Sequence, residues 1–159
     1  MKHSLLMRNA MLAAAYAVLT IAIAPLSYGF MQIRLSECMT LAAFYDKRYM
    51  PGLVIGCLLA NFNSPLGIVD LVIGTMATFL SVWNMQYCKN IYIASLMPVL
   101  FNAICIGGEL YILELLPEGT ALLASMLYVA GGEFLAVSVA GICIMKLGLE
   151  KIFATQTNK

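Results

Sequence analysis

The chain has 159 residues, of which 62% are hydrophobic and 11% are charged, and its mean hydropathy is +0.91. Soluble domains are about half apolar and about a quarter charged, so this composition excludes an ordinary soluble enzyme. The net charge of +1 offers no basic surface, so we expect no nucleic-acid partner. We therefore predict one integral membrane domain over residues 1–159, lying in the lipid bilayer of the cell membrane.

Six apolar stretches follow one another along the chain. They cover about residues 5–24, 35–46, 51–62, 67–87, 91–116 and 121–149, and the second and third are short. No β-barrel alternation is present, so helices are the only available spanning elements. These stretches predict an all-α protein with six transmembrane helices, whereas counting the two short stretches as one broken helix would give five.

The basic residues distinguish these two counts. Eight of the nine lie at the N-terminus, in the second-to-third and fourth-to-fifth links, or near the C-terminus: Lys2, Arg8, Lys47, Arg48, Lys89, Lys146, Lys151 and Lys159. Six helices place all eight on one side of the membrane, whereas five helices scatter them across both. Since cytoplasmic loops are enriched in Lys and Arg, we prefer six helices with both termini in the cytoplasm.

The first helix carries two pairs of small residues at helical spacing. Ala10 and Ala14 are four residues apart, as are Ala13 and Ala17. Small residues at this spacing share a helix face and let another helix approach closely. Two interpretations remain open from the spacing alone: packing within this protein, or docking to another membrane subunit.

Several polar side chains fall within or beside the apolar stretches. They are Arg34, Glu37, Asn61, Asp70, Asn102, Glu109 and Glu133. Ionisable groups at membrane depth are costly and usually face the bundle interior. With six helices, the first four lie toward the outer ends of helices two to four, and Glu109 and Glu133 lie in the outer halves of helices five and six, so we expect the polar groups to converge in the outer half of the bundle. Asn102 and Glu109 are two helical turns apart and share a face.

Some of these polar residues have a structural alternative. Arg34 could pair with Glu37 three residues further along a helix, and Asp70 could cap the fourth helix. Glu109 and Glu133 lie within long apolar stretches with no basic residue nearby in the sequence. An ionised, unpaired carboxylate would be very costly there, so these two favour ligand contact.

The excess of acids indicates the chemistry of the ligand. Four carboxylates face one arginine, so an anionic ligand is disfavoured. A carboxylate accepts two parallel donors, and a guanine-like ring presents such a pair in its ring N–H and amino group. A second carboxylate suits an aliphatic ammonium. Tyr28 and Phe30 could supply an aromatic face, although interfacial anchoring is the commoner role of aromatics in membrane proteins.

Catalytic motifs are missing from the sequence. It has no GxxxxGK[ST] phosphate-binding loop, no HExxH metal motif and no nucleophile elbow. We therefore expect no enzymatic activity of its own, no metal and no cofactor.

Five blocks in a fixed order resemble a known family. They are YAVLTIAIAPLSYGFMQIRLSE, PGLVIGCLLANF, GIVDLVIGTMATFLS, PVLFNAICIGGEL and GGEFLAVSVAG, together spanning about residues 10–145. This order is similar to that of the queuosine-precursor (QueT) family, which belongs to the S-components of energy-coupling factor (ECF) transporters. The resemblance implies a six-helix membrane subunit that binds 7-aminomethyl-7-deazaguanine, 7-cyano-7-deazaguanine or queuine.

The resemblance also implies partners. S-components dock through small residues of helix one onto a membrane coupling subunit that carries two ABC ATPase subunits, and Ala10, Ala13, Ala14 and Ala17 match the AxxxA pattern of this family. Two rival functions remain open. One is an S-component for another vitamin, and the other is a secondary transporter with Glu109 or Glu133 as its proton relay.

Overall fold

The computed structural model describes residues 2–29, 32–149 and 153, and all regular secondary structure in this part of the chain is helical. The α-helices are α1 Lys2–Ala22, α2 Ala24–Ser27, α3 Ala42–Tyr45, α4 Met50–Asn61, α5 Ile68–Met85, α6 Ile91–Ile112, α7 Leu122–Glu133 and α8 Ile142–Ile144. Two 3₁₀ segments, Leu35–Leu41 and Lys47–Tyr49, lead into α3 and α4, and two π-helical segments, Phe134–Gly141 and Met145–Leu149, flank α8. The predicted all-α fold class is confirmed.

Four helical stretches in the described residues are long and apolar enough to cross a membrane. They are Ser4–Ala22, Ile68–Met85, Ile91–Ile112 and Leu122–Gly148. Helix α4 has only 12 residues, so it rises about 18 Å against a hydrocarbon core of about 30 Å. The segment from Leu35 to Tyr45 is shorter still. The structure therefore supports a multi-pass membrane protein but does not confirm six spans.

The helices pack in a closed ring. Helix α1 packs on α4, α4 on α5, α5 on α6, and α6 on α7. The 3₁₀ segment Leu35–Leu41 then contacts both α1 and the π-helical segment that follows α7, which closes the ring. Large apolar side chains such as Val18, Val72 and Leu127 are exposed on the outside, while many polar side chains are buried inside. This distribution fits a lipid environment.

The segments between the helices contain the expected breaking residues. Pro25 lies in the first turn of α2, and Pro51 in the first turn of α4. A backbone N–H in the first turn has no partner within the helix, so proline loses no helical hydrogen bond there. Gly67 precedes α5 with φ of 68°, a left-handed conformation that glycine adopts without steric cost. This turn sets the start of α5 and so places Asp70 in its first turn.

The small-residue pattern of α1 divides between two faces. A methyl group added to Gly56 of α4 would lie 2.9 Å from the Ala13 carbonyl oxygen and 2.9 Å from Tyr16 Cβ, so the two helices are in close contact. Ala13 and Ala17 are buried, whereas Ala10 and Ala14 are exposed. Internal packing therefore accounts for the burial of Ala13 and Ala17, and docking through the four alanines stays a prediction.

Replacing Gly56 by Ala is expected to destabilise the protein. The added methyl group would force α1 and α4 apart, and overpacking of this kind costs about 1–3 kcal/mol. Gly131→Ala is the matched control, because no atom lies within 4 Å of the added methyl and alanine favours helix more than glycine. Thermal unfolding in detergent measures both variants. A melting temperature of Gly56→Ala equal to that of the wild type would contradict the close α1–α4 contact.

Candidate ligand-binding site

A group of polar side chains is buried inside the ring of helices. Each is at most 2% exposed, and they come from the segment before α3 and from α4, α5, α6 and α7: Gln32, Arg34, Glu37, Asn61, Asp70, Asn102, Glu109 and Glu133. All of the predicted polar site residues are among them. Gln32 was not predicted, because an uncharged residue in a loop carries no signal in the sequence.

Arg34 and Asp70 form a buried ion pair. Arg34 Nη2 donates to both carboxylate oxygens of Asp70 at 3.2 Å, and Arg34 Nε donates to the Ser27 carbonyl at 3.3 Å. Arg34 therefore pairs with Asp70 and not with Glu37, and Asp70 accepts from Arg34 and does not cap α5. Both structural alternatives suggested by the sequence are therefore wrong. Each relied on groups close together in the chain, whereas Arg34 and Asp70 are 36 residues apart.

Asn61 and Gly74 complete the surroundings of this ion pair. Asn61 Nδ2 donates to the backbone carbonyl of Asp70 at 3.1 Å. A methyl group added to Gly74 would lie 2.6 Å from Asn61 Nδ2 and 2.7 Å from Asp70 Oδ1, so only glycine leaves room for the pair. Gly74 lies four residues after Asp70, on the same helix face, and this spacing was the signal that could have identified it.

Tyr28 packs against the same ion pair. Its hydroxyl donates to the Ala60 carbonyl at 2.6 Å, and the Arg34 guanidinium lies over its ring at 5.5 Å from the centroid. One face of this ring thus contacts a cation, which is a favourable arrangement. Phe30, the other aromatic residue of the predicted site, lies outside the described residues.

Glu37 is held by two neighbouring helices. Its Oε1 accepts hydrogen bonds from the Tyr16 hydroxyl of α1 and from Thr78 Oγ1 of α5, the latter at 3.0 Å. Its Oε2 has no hydrogen-bond partner in the described part of the chain. Glu37 therefore has one oxygen with a structural role and one free to accept from a ligand. Tyr16 and Thr78 were not predicted, since both lie within apolar helical stretches and are uncharged.

The two glutamates of the long helices carry free acceptor atoms. Within residues 2–29 and 32–149, no hydrogen-bond partner is present for either Glu109 oxygen or for Glu133 Oε2. Asn102 lies beside Glu133, and Glu109 lies near the Arg34–Asp70 pair. A buried polar atom without a hydrogen bond costs about 1–3 kcal/mol. Such a concentration of unpaired atoms is typical of a site that a polar ligand completes.

These features define a class of protein: a multi-pass helical membrane protein with a buried group of polar side chains, several of which have unpaired atoms. The sequence-family model described as "QueT transporter" matches residues 6–150. The chain belongs to the QueT transporter family, so the resemblance noted in the sequence is confirmed.

A named relative is similar to this chain over most of both sequences. It is the protein named "Queuosine precursor transporter QueT" of Lactococcus lactis subsp. cremoris (strain MG1363), which is 30% identical, with 87% of this chain and 89% of the relative covered. No solved structure gives a significant match to this chain.

Proposed function

We propose that this chain is the substrate-binding S-component of an ECF-type importer and captures a 7-deazaguanine queuosine precursor for ATP-driven uptake. The observation that carries the proposal is the buried group of unpaired carboxylate and amide atoms, read together with the name of the Lactococcus relative. The sequence contains no phosphate-binding loop, so separate partner ATPases would supply the energy.

Glu133 and Asn102 suit one edge of a guanine-like ring. This edge presents a carbonyl oxygen, a ring N–H and an amino group, in that order. An amide donor beside a carboxylate offers one donor followed by two acceptors, which is the complementary order. Asn102 lies beside Glu133 on the neighbouring helix, so the pair can supply this arrangement. One of the two ligand donors would then satisfy Glu133 Oε2, which has no partner in the described residues.

The remaining acids suit the substituent at the 7-position. Asp70 is neutralised by Arg34, which leaves Glu109 and the free oxygen of Glu37 as acceptors. The ammonium of the aminomethyl precursor, or the secondary amine of queuine, would meet these carboxylates. An anionic ligand is disfavoured, because only one arginine faces four carboxylates in this interior.

We also propose six helical crossings with both termini in the cytoplasm. The two short segments, Leu35–Tyr45 and Met50–Asn61, occupy their own places in the ring and separate α1 from the other long helices. Six crossings keep eight of the nine basic residues on one side of the membrane.

The exposed face of α1 is the proposed docking surface for the membrane coupling subunit. Ala14→Leu is expected to reduce uptake by cells that express the whole transporter, because a large side chain prevents close helix approach. Ligand binding by the isolated subunit should not change, since Ala14 is exposed on the outside of the ring. Ala15→Leu is the control: it is also exposed but points about 100° away around the helix. Unchanged uptake and unchanged pull-down of the coupling subunit in Ala14→Leu would contradict the docking role.

Two measurements test the proposed function itself. Calorimetric titration of the purified subunit with the aminomethyl precursor, the cyano precursor and queuine should show binding of at least one of them, and mass spectrometry should identify small molecules that co-purify. The rival function, proton-coupled transport through Glu109 or Glu133, is favoured by the same unpaired acids. Uptake that requires the ATPase subunits and continues in the presence of a proton uncoupler would exclude it.

A further inference from the structure

Gln32 combines two features that are unfavourable without a ligand. Its backbone has φ of 48°, a left-handed conformation that is uncommon for residues other than glycine. Its side chain is 1% exposed, and neither the amide nitrogen nor the amide oxygen has a hydrogen-bond partner in the described residues. Strained backbone together with unpaired buried atoms is typical of a functional position.

The backbone around Gln32 is well anchored. The Gln32 N–H donates to the Gly29 carbonyl at 3.0 Å, and the Gln32 carbonyl accepts from the Arg34 N–H at 2.9 Å. Arg34 is in turn held by its ion pair with Asp70. These backbone hydrogen bonds and the ion pair fix the backbone at Gln32 and Arg34, and the Gln32 side chain is buried two residues along the chain from Arg34.

Few side chains of the site offer a free hydrogen-bond donor, and this limits the roles that the Gln32 amide can have. The unpaired oxygens of Glu37, Glu109 and Glu133 can only accept while they are ionised. Gln32 offers a donor and an acceptor side by side. A 7-deazaguanine free base has one edge with this mixed character, where the ring nitrogen N3 accepts and the adjacent N9–H donates.

We propose, resting on the proposed function, that Gln32 binds the N3/N9–H edge of the ligand while Glu133 and Asn102 bind the adjacent edge, which carries the carbonyl oxygen, the ring N–H and the amino group. Gln32 Nε2 donates to N3, and Gln32 Oε1 accepts from N9–H. This assignment makes Gln32 a specificity residue, because a substituent on N9 removes the donor that the amide oxygen requires. The site therefore selects the free base over its N9-substituted forms.

The test is a binding cycle that combines a Gln32 variant with a modified ligand. Gln32→Met has nearly the same shape but neither donates nor accepts. The wild type should bind 7-aminomethyl-7-deazaguanine at least tenfold more tightly than its N9-methyl derivative. Gln32→Met should bind the unmodified ligand about tenfold more weakly than the wild type, which corresponds to two lost neutral hydrogen bonds. The preference of Gln32→Met for the unmodified ligand should fall below threefold. If the wild type excluded the N9-methyl derivative only because of its size, the variant would keep the full preference.

Two controls separate ligand contact from a structural role. Gln32→Gly keeps the left-handed turn without a side chain and should lose affinity to a similar extent. The melting temperature of ligand-free Gln32→Met should equal or exceed that of the wild type, because the substitution removes two unpaired buried atoms. Binding within threefold of the wild type, or an unchanged preference against N9-methyl, would overturn the inference alone. Failure of the wild type to bind any deazaguanine would overturn the proposed function together with it.

Discussion

Replacing Glu133 by Gln is expected to weaken deazaguanine binding by about 30- to 700-fold. The substitution keeps the shape of the side chain but turns one acceptor into a donor, which would face the donors of the ligand. A buried donor left without its charged partner costs about 2–4 kcal/mol, and about 1.4 kcal/mol corresponds to a factor of ten in affinity. Glu133 is 1% exposed, so water cannot replace the lost partner.

Calorimetric titration of the purified variant measures this effect, and two further variants make it interpretable. Glu109→Gln should also weaken binding, since neither Glu109 oxygen has a partner in the described chain. Glu118→Gln should bind as the wild type does, because Glu118 is exposed in the loop between α6 and α7. If both buried-site variants bind within a factor of three of the wild type, these acids are structural and the site lies elsewhere.

Replacing Arg34 by Met is expected to lower the free energy of unfolding by about 3–5 kcal/mol. Removing one member of a buried ion pair leaves the other as an uncompensated charge in a medium that solvates it poorly. The Asp70 side chain is fully buried, and Arg34 contributes both hydrogen bonds to its carboxylate. Thermal unfolding of the detergent-solubilised variant provides the measurement.

A double variant and a surface pair serve as comparisons. Arg34→Met combined with Asp70→Leu should recover much of the lost stability, because no unpaired charge remains. Arg48→Met removes a partner from the Arg48–Asp46 pair, in which the Arg48 side chain is 44% exposed, and should lower the melting temperature much less than Arg34→Met does, because solvent screens exposed ion pairs. Equal melting temperatures of Arg34→Met and Arg48→Met would show that the interior pair does not stabilise the fold.

The helical architecture and the polar composition of the site could be predicted from the sequence. An apolar run such as residues 91–112 allows only a helix, since a membrane requires every backbone group to be paired within its own segment. Ionisable residues such as Glu109 and Glu133 stand out in these runs because their burial is costly. For the same reason their burial inside the bundle could be expected before any coordinates.

The partners of these residues were decided by the tertiary structure. Arg34 could have paired with Glu37 on one helix face, but packing brought it to Asp70 of α5, and Glu37 to Tyr16 and Thr78. Such pairs join segments far apart in the chain, and local spacing contains no information about which segments become neighbours.

The same reason explains the small-residue pattern and Gln32. The spacing of small residues gave Ala13 and Ala14 the same two possible roles, packing or docking. Contact with Gly56 of α4 buries Ala13, whereas Ala14 is exposed. Gln32 is buried and has a left-handed backbone conformation, and neither property can be recognised from a periodic pattern in the sequence. Local patterns thus determined which segments are helical and polar, whereas long-range packing decided which polar atoms remain free to bind a ligand.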